Sequence, residues 1–131
     1  MTTCFELDNA RVVLDLDAGC VYAYYYSGDE ITGDVWLFNV GGTPSTDPWP
    51  QGGKPPFCNS SKYCIEHSFE EPILENDFQV HFDLTNQTAG IYFRGRFAGL
   101  VGANTRPGWS TLAKENSPAA KKFTSAFPAP N

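Results

Sequence analysis

Residues 11–40 read RVVLDLDAGCVYAYYYSGDEITGDVWLFNV, and the alternation in this stretch decides the fold. Between Arg11 and Asp17, Val12, Leu14 and Leu16 alternate with Asp15 and Asp17, the period of two that a β-strand shows when one face is buried. Asp17-Ala18-Gly19 reads as a hairpin turn, its glycine able to take positive φ. Cys20–Tyr26 is a second strand. Ser27-Gly28-Asp29-Glu30 is a second turn, and Ile31–Val40 a third strand. With loops at 17–19 and 27–30, Leu16 falls opposite Cys20, Leu14 opposite Tyr22 and Val12 opposite Tyr24. The face so built holds Val12, Leu14, Leu16, Tyr22, Tyr24, Tyr26, Ile31, Val35 and Leu37, and is the expected core. Its tyrosine hydroxyls each need a partner, which predicts a polar network or the wall of a cavity. The opposite face mixes Asp15, Thr32 and Asp34 with Tyr25, Trp36 and Phe38. That is too apolar for bare solvent, so a cover is expected from the tail, the central loop or another subunit.

Working outward, residues 41–61 hold five prolines and four glycines, which exclude regular secondary structure. Loops of this length in compact domains are usually functional or disordered, and Trp49 and Phe57 favour one packed by its own side chains. Lys62–Phe69 reads as a strand ended by Glu70-Glu71-Pro72. Phe78–Leu84 and Ile91–Val101 read as a hairpin around residues 85–90, with Phe82 near Phe93 and Val80 near Gly95. Gly95 and Gly99 suggest a bulge or bend in the last strand. In the tail, residues 108–131, Ser117-Pro118 supplies an N-cap and first-turn pair for a short helix through Phe127, with Phe123 and Phe127 on one face. The reading is a single all-β domain over residues 1–131: an antiparallel sandwich or barrel of six to eight strands with a short C-terminal helix. A chain of 131 residues, 41% hydrophobic and 15% aromatic, can build that core without staples.

Charge narrows the partners. The formal net charge is −6, with nine Lys plus Arg. Nucleic acid and anionic membrane surfaces are therefore disfavoured. No apolar run is long enough to span a bilayer, and Met1-Thr2-Thr3-Cys4 lacks the basic and apolar regions of a signal peptide. A cytoplasmic location is expected, although a secreted protein stripped of its leader reads the same way. The four cysteines, Cys4, Cys20, Cys58 and Cys64, are too scattered for a disulfide framework and read as buried thiols.

The late hairpin collects the polar groups able to do chemistry. Gln79, His81 and Asp83 alternate on one strand, and Tyr92, Arg94 and Arg96 on the other. The expected register brings His81 near Arg94 and Asp83 near Tyr92, an acid/base pair beside a cation that could anchor an anionic substrate. The simpler explanation is a solvated sheet face with ordinary cross-strand pairs. A zinc site from Cys58, Cys64, His67 and His81 is disfavoured by the wide cysteine spacing. Cys64 and His67 also stand an odd number apart, on opposite faces of a regular strand, so neither metal nor cofactor is expected. No Gly-x-Ser-x-Gly elbow or phosphate-cradling glycine motif is present. Trp49 among prolines could stack on a ligand or anchor its own loop.

Three functional readings follow. The first is a protein binding a small organic ligand in a tyrosine-lined cavity, using Tyr22, Tyr24 and Tyr26 with Trp49 and Arg96. The second is a small cofactor-independent enzyme of cyclase, isomerase or lyase type. It would use His81 or Asp83 as base, Arg94 as anion anchor, and Tyr92 with its neighbours to polarise a carbonyl. The third is a subunit of a larger assembly or homo-oligomer that buries the mixed face. Binding ranks first, because a catalytic constellation should be sharper than this one.

Overall fold

The computed structural model describes residues 1–17, 19–41, 63–65 and 68–123. Trp49, Cys58, His67 and Phe127, on which the loop, metal and tail expectations rest, lie outside the described residues. So does nearly all of the 41–61 loop.

The described chain is nearly all β, as its alternation requires. Ten strands, more than the six to eight expected, form two five-stranded sheets. In the first, β1 (Thr2–Leu7), β2 (Ala10–Asp17), β3 (Cys20–Ser27), β4 (Glu30–Val40) and β5 (Ser68–Phe69) stand in chain order. The second runs β10 (Lys121–Lys122), β9 (Trp109–Ser110), β8 (Arg96–Gly102), β7 (Thr88–Phe93) and β6 (Phe78–Asp83). Pairing is antiparallel except at β4–β5 and β9–β10. No helix among the described residues is long and apolar enough to cross a membrane.

The register of the first hairpin corrects the expected core face. Asp17 pairs with Cys20, so Leu14 faces Ala23, Val13 faces Tyr24 and Val12 faces Tyr25. The turn is one residue tighter than the 17–19 loop, and a one-residue slip turns every side chain over. Val21 and Ala23 are fully buried and Tyr25 is 3% exposed, whereas Tyr24 and Tyr26 are half-buried. Tyr25 and Phe38 therefore belong to the core, and Tyr24 and Tyr26 to the reverse of the sheet, where Tyr22 alone of the three alternate tyrosines is buried as expected.

β4 carries two register shifts, one between its pairings with Val21 and Tyr22 and the other between those with Tyr25 and Tyr26. Each puts one extra β4 residue against β3, the kind of irregularity that bends a strand and sharpens its twist. Phe38 meets Phe78 and Phe93 at ring-centroid distances of 6.3 and 4.7 Å. Val12, Leu14, Val35, Ile91 and Val101 complete this shared core, all fully buried. Each such side chain contributes roughly 1.5–3 kcal/mol by leaving water.

The edge of β4 at Asp34 and Trp36 is closed by backbone from the segments that join β8 to β9 and β9 to β10. Asp34 N–H donates to the Thr105 carbonyl at 2.9 Å, Gly108 N–H donates to the Asp34 carbonyl at 2.7 Å, and Trp36 N–H donates to the Ala119 carbonyl at 2.9 Å. These bonds occupy an edge that would otherwise invite foreign strands. They also explain why no helix starts at Ser117. The Ser117 Oγ does accept from the N–H groups of Ala119 and Ala120, at 3.1 and 3.3 Å. Propagation then fails, because the Ala119 carbonyl is taken by Trp36 and the Lys121 N–H by the Gly108 carbonyl. A helix this short is marginal alone, and the edge contacts win. Lys121–Lys122 instead pairs parallel with Trp109–Ser110.

Two further expectations change. Ile91–Val101 is not one strand but a hairpin, β7 to β8, turning at Arg94-Gly95, where φ is +50° and +82°. Both central residues at positive φ mark the turn type that usually carries Asn-Gly or Asp-Gly, so an Arg-Gly pair conceals it. Of the expected strand Lys62–Phe69, the described residues show only Ser68–Phe69 and a bridge from Cys64 to Ala113.

Candidate functional site

β6 and β7 place the expected acid/base group on the outer face of the second sheet. Their register sets Phe78 opposite Phe93, Val80 opposite Ile91, His81 opposite Gly90 and Asp83 opposite Thr88. The expected neighbours, Phe82 with Phe93 and His81 with Arg94, do not meet, because the connecting turn is shorter than residues 85–90 and Arg94 leaves the strand. Only His81 and Tyr92 come together, ring centroids 4.7 Å apart, with His81 exposed. Asp83 serves its own turn. It accepts from the Asn86 Nδ2 at 2.7 Å and the Asn86 N–H at 3.1 Å, bonds that hold its carboxyl below the usual range. Arg94 stands at the other end of the hairpin, its Nε 3.4 Å from Asp77 and its Nη2 donating to the Pro72 carbonyl at 3.2 Å. His81, Asp83 and Arg94 do not converge.

The alternate tyrosines form a stripe on the reverse of the first sheet. Tyr22 and Tyr24 stack with centroids 6.1 Å apart and planes 15° from parallel. Tyr26 lies beneath Arg11, whose guanidinium carbon is 4.3 Å from the ring centroid. Desolvation, and then the charges of Asp15 and Asp34, push the Tyr24 phenol up to about 12. Burial likewise raises the Asp34 carboxyl, against the pull of Arg106 at 3.7 Å. Trp36 stays fully buried on this sheet through a polar chain: its Nε1 donates to Asn39 Oδ1 at 2.9 Å, and Asn39 Nδ2 reaches Cys64 Sγ at 3.9 Å.

Two cavities open among the described residues, one of them at the Tyr26 end of this stripe. One, of about 380 Å³, opens where the turns Asp8-Asn9, Ser27-Gly28 and 84–87 cluster. Tyr25 and Tyr26 form its aromatic wall, Leu84 an apolar one, and Asp8, Ser27 and Gln87 supply polar groups. Sequence reasoning missed Tyr25, since only the corrected register turns it inward. The other cavity, of about 350 Å³, is walled by Phe38, Phe69, Phe93, Phe97 and Leu112, with Arg96 beside them. Arg96 is thus parted from the tyrosines with which it was grouped, and nothing local in the sequence places it against Phe93. Among the described residues no cluster of three or more His, Cys, Asp or Glu could hold a metal ion.

No family model, curated protein or solved structure matches this chain, so its function is read from the chemistry of these cavities.

Proposed function

We propose that the chain is a non-catalytic binding protein, a β-sandwich that holds a small polar organic ligand in the turn-end cavity. The supporting observation is that cavity itself: about 380 Å³, within the usual range for small-molecule sites, with two tyrosines and several hydrogen-bonding groups in its wall. Ring faces favour a flat or ring-shaped ligand, while Asp8, Asn9, Ser27 and Gln87 favour one carrying hydroxyl or amide groups. A sandwich accounts for two separate sheets, each with its own edge strands, and leaves the turns gathered at one end. The dispersal of His81, Asp83 and Arg94 lowers the enzyme reading relative to binding.

Screening hydroxylated ring compounds by ligand-observed NMR, then following backbone amide shifts, tests this. Hits should move the Ser27, Gly28 and Gln87 amides and vanish in Leu84→Trp, which fills the cavity from an exposed position. Hits that shift other regions, or that survive Leu84→Trp in a folded protein, refute the reading.

A further inference from the structure

The phenylalanine cavity has a chemistry of its own. Phe38, Phe69 and Phe93 come from three strands and pack as a triangle, with centroid distances of 4.8, 4.7 and 4.8 Å. Beside that triangle the space of about 350 Å³ is bounded by Phe97, Leu112 and Arg96. The register explains the arginine: Arg96 is the first residue of β8 and pairs directly with Phe93 across the Arg94-Gly95 turn. A tight hairpin thus sets Arg96 beside the cavity, while the Arg94 guanidinium lies 4.7 Å from the Phe93 ring centroid and is held by Asp77.

Arg96 is exposed, so it stands at the solvent rim of this space, and two observations bear on what it could hold there. Among the described residues the Arg96 guanidinium makes no hydrogen bond or ion pair, whereas Arg94 and Arg106 each hold an aspartate. The cavity lining also contains no carboxylate, in a chain with fifteen Asp plus Glu against nine Lys plus Arg. Its one other polar side chain, Thr111, points its hydroxyl at the carbonyls of Phe97 and Ala98, at 3.4 and 3.2 Å. Arg96 is left as the sole strong donor facing an apolar space.

From this juxtaposition we infer a second binding site, for an amphipathic monocarboxylate. Its hydrocarbon chain or ring lies among Phe38, Phe69, Phe93, Phe97 and Leu112, and its carboxylate rests on the Arg96 fork. Guanidinium donates two parallel N–H groups that match the two oxygens of a carboxylate. A phosphate monoester, near two negative charges at neutral pH, is poorly served by one cation with no further donor. An ammonium ligand is repelled. This site shares no lining residue with the turn-end cavity and stands or falls independently of it.

Calorimetric titration of the full chain with decanoate below its micelle-forming concentration is the test, with decanol and decylammonium as neutral and cationic counterparts. Decanoate should saturate and bind at least about tenfold tighter than either, the usual scale for a charge-assisted hydrogen-bonded contact. Arg96→Gln should erase that preference while leaving decanol binding unchanged. Leu112→Trp should weaken both ligands. Should that variant fail to fold, decanoate-induced amide shifts in the unaltered protein take its place, expected at Phe97, Ala98 and Thr111. The inference is overturned if decanoate binds no tighter than decanol, if its preference survives Arg96→Gln, or if the shifts fall elsewhere.

Discussion

Tyr24 and Asp34 face each other across β3 and β4, directly paired in register, and both carry the mark of half-burial. The Tyr24 phenol is raised from 10.0 to about 12, first by desolvation and then by Asp15 and Asp34. A raised folded-state pKa means that the native state keeps its proton longer than the unfolded chain. Stability from Tyr24 is then fully present below pH 10.0 and lost as pH climbs through about 12. Tyr24→Phe should remove that alkaline loss, seen as a flatter melting temperature across this interval and as one fewer late phenol in absorbance titration. An unaltered late titration would show that another tyrosine is responsible. Asp34 works in the opposite range. Its carboxyl is raised above 3.8 by burial despite Arg106, so the fold disfavours its charge, and stability falls as pH rises through the folded-state value. Asp34→Asn should therefore melt no lower than the parent at neutral pH, although an ion pair is lost, and should bring the Tyr24 titration down. A clear drop in neutral-pH melting temperature would show instead that the Arg106 pair outweighs desolvation.

At the scale of elements, β4 and the end of β8 approach closely at Gly33 and Gly102. A Cβ on Gly33 would overlap the Gly102 carbonyl oxygen, with Thr105 Oγ1 2.9 Å away. Neither is a flexible chain end that can swing aside, since Thr105 Oγ1 also donates to that carbonyl at 2.7 Å. Gly33→Ala should cost about 1–3 kcal/mol or more by forcing the sheets apart, measured as a lower denaturant midpoint. A change below about 0.5 kcal/mol would mean that the strands separate easily. The backbone carbonyl of Leu37, near the β4 irregularity, shows how such a strand is kept: it accepts from the buried Ser110 Oγ at 2.9 Å, while that oxygen accepts from the Leu112 N–H at 3.2 Å. One side chain of β9 thereby satisfies a carbonyl of β4 and an N–H of the turn that follows β9.

For the whole molecule, the final described segment is structural. Residues 108–123 provide β9 and β10, close the β4 edge at Asp34 and Trp36, and bury Ala119 and Ala120. A detachable tail helix would leave the sheets intact when removed. Here, truncation after Pro107 should abolish cooperative unfolding, because it uncovers Trp36 and strands several buried backbone groups at once. Circular dichroism melting of the truncated chain checks this. A sharp transition near that of the full chain would show that the two sheets hold without the edge closure.

That the chain is β, where β2, β3, β4 and β6 run, and which turns separate the first three could all be read from the residues. Each of those signals is local: side-chain alternation and turn chemistry act within a few residues, and tertiary contacts have little power to rewrite them. Face and site were decided elsewhere. A single residue at the first turn brought Val21, Ala23 and Tyr25 into the core and left Tyr24 and Tyr26 half-buried on the other face, with Tyr22 still buried, because alternation states that two faces differ without stating which is buried. The Ser117 hydroxyl does accept from the Ala119 and Ala120 N–H groups, yet no helix follows, since the Trp36 N–H takes the Ala119 carbonyl and the Lys121 N–H donates to the Gly108 carbonyl. The cavities depend most on tertiary structure. Phe38, Phe69, Phe93, Arg96 and Leu112 share no motif or spacing, and only contacts between strands of the two sheets make them neighbours.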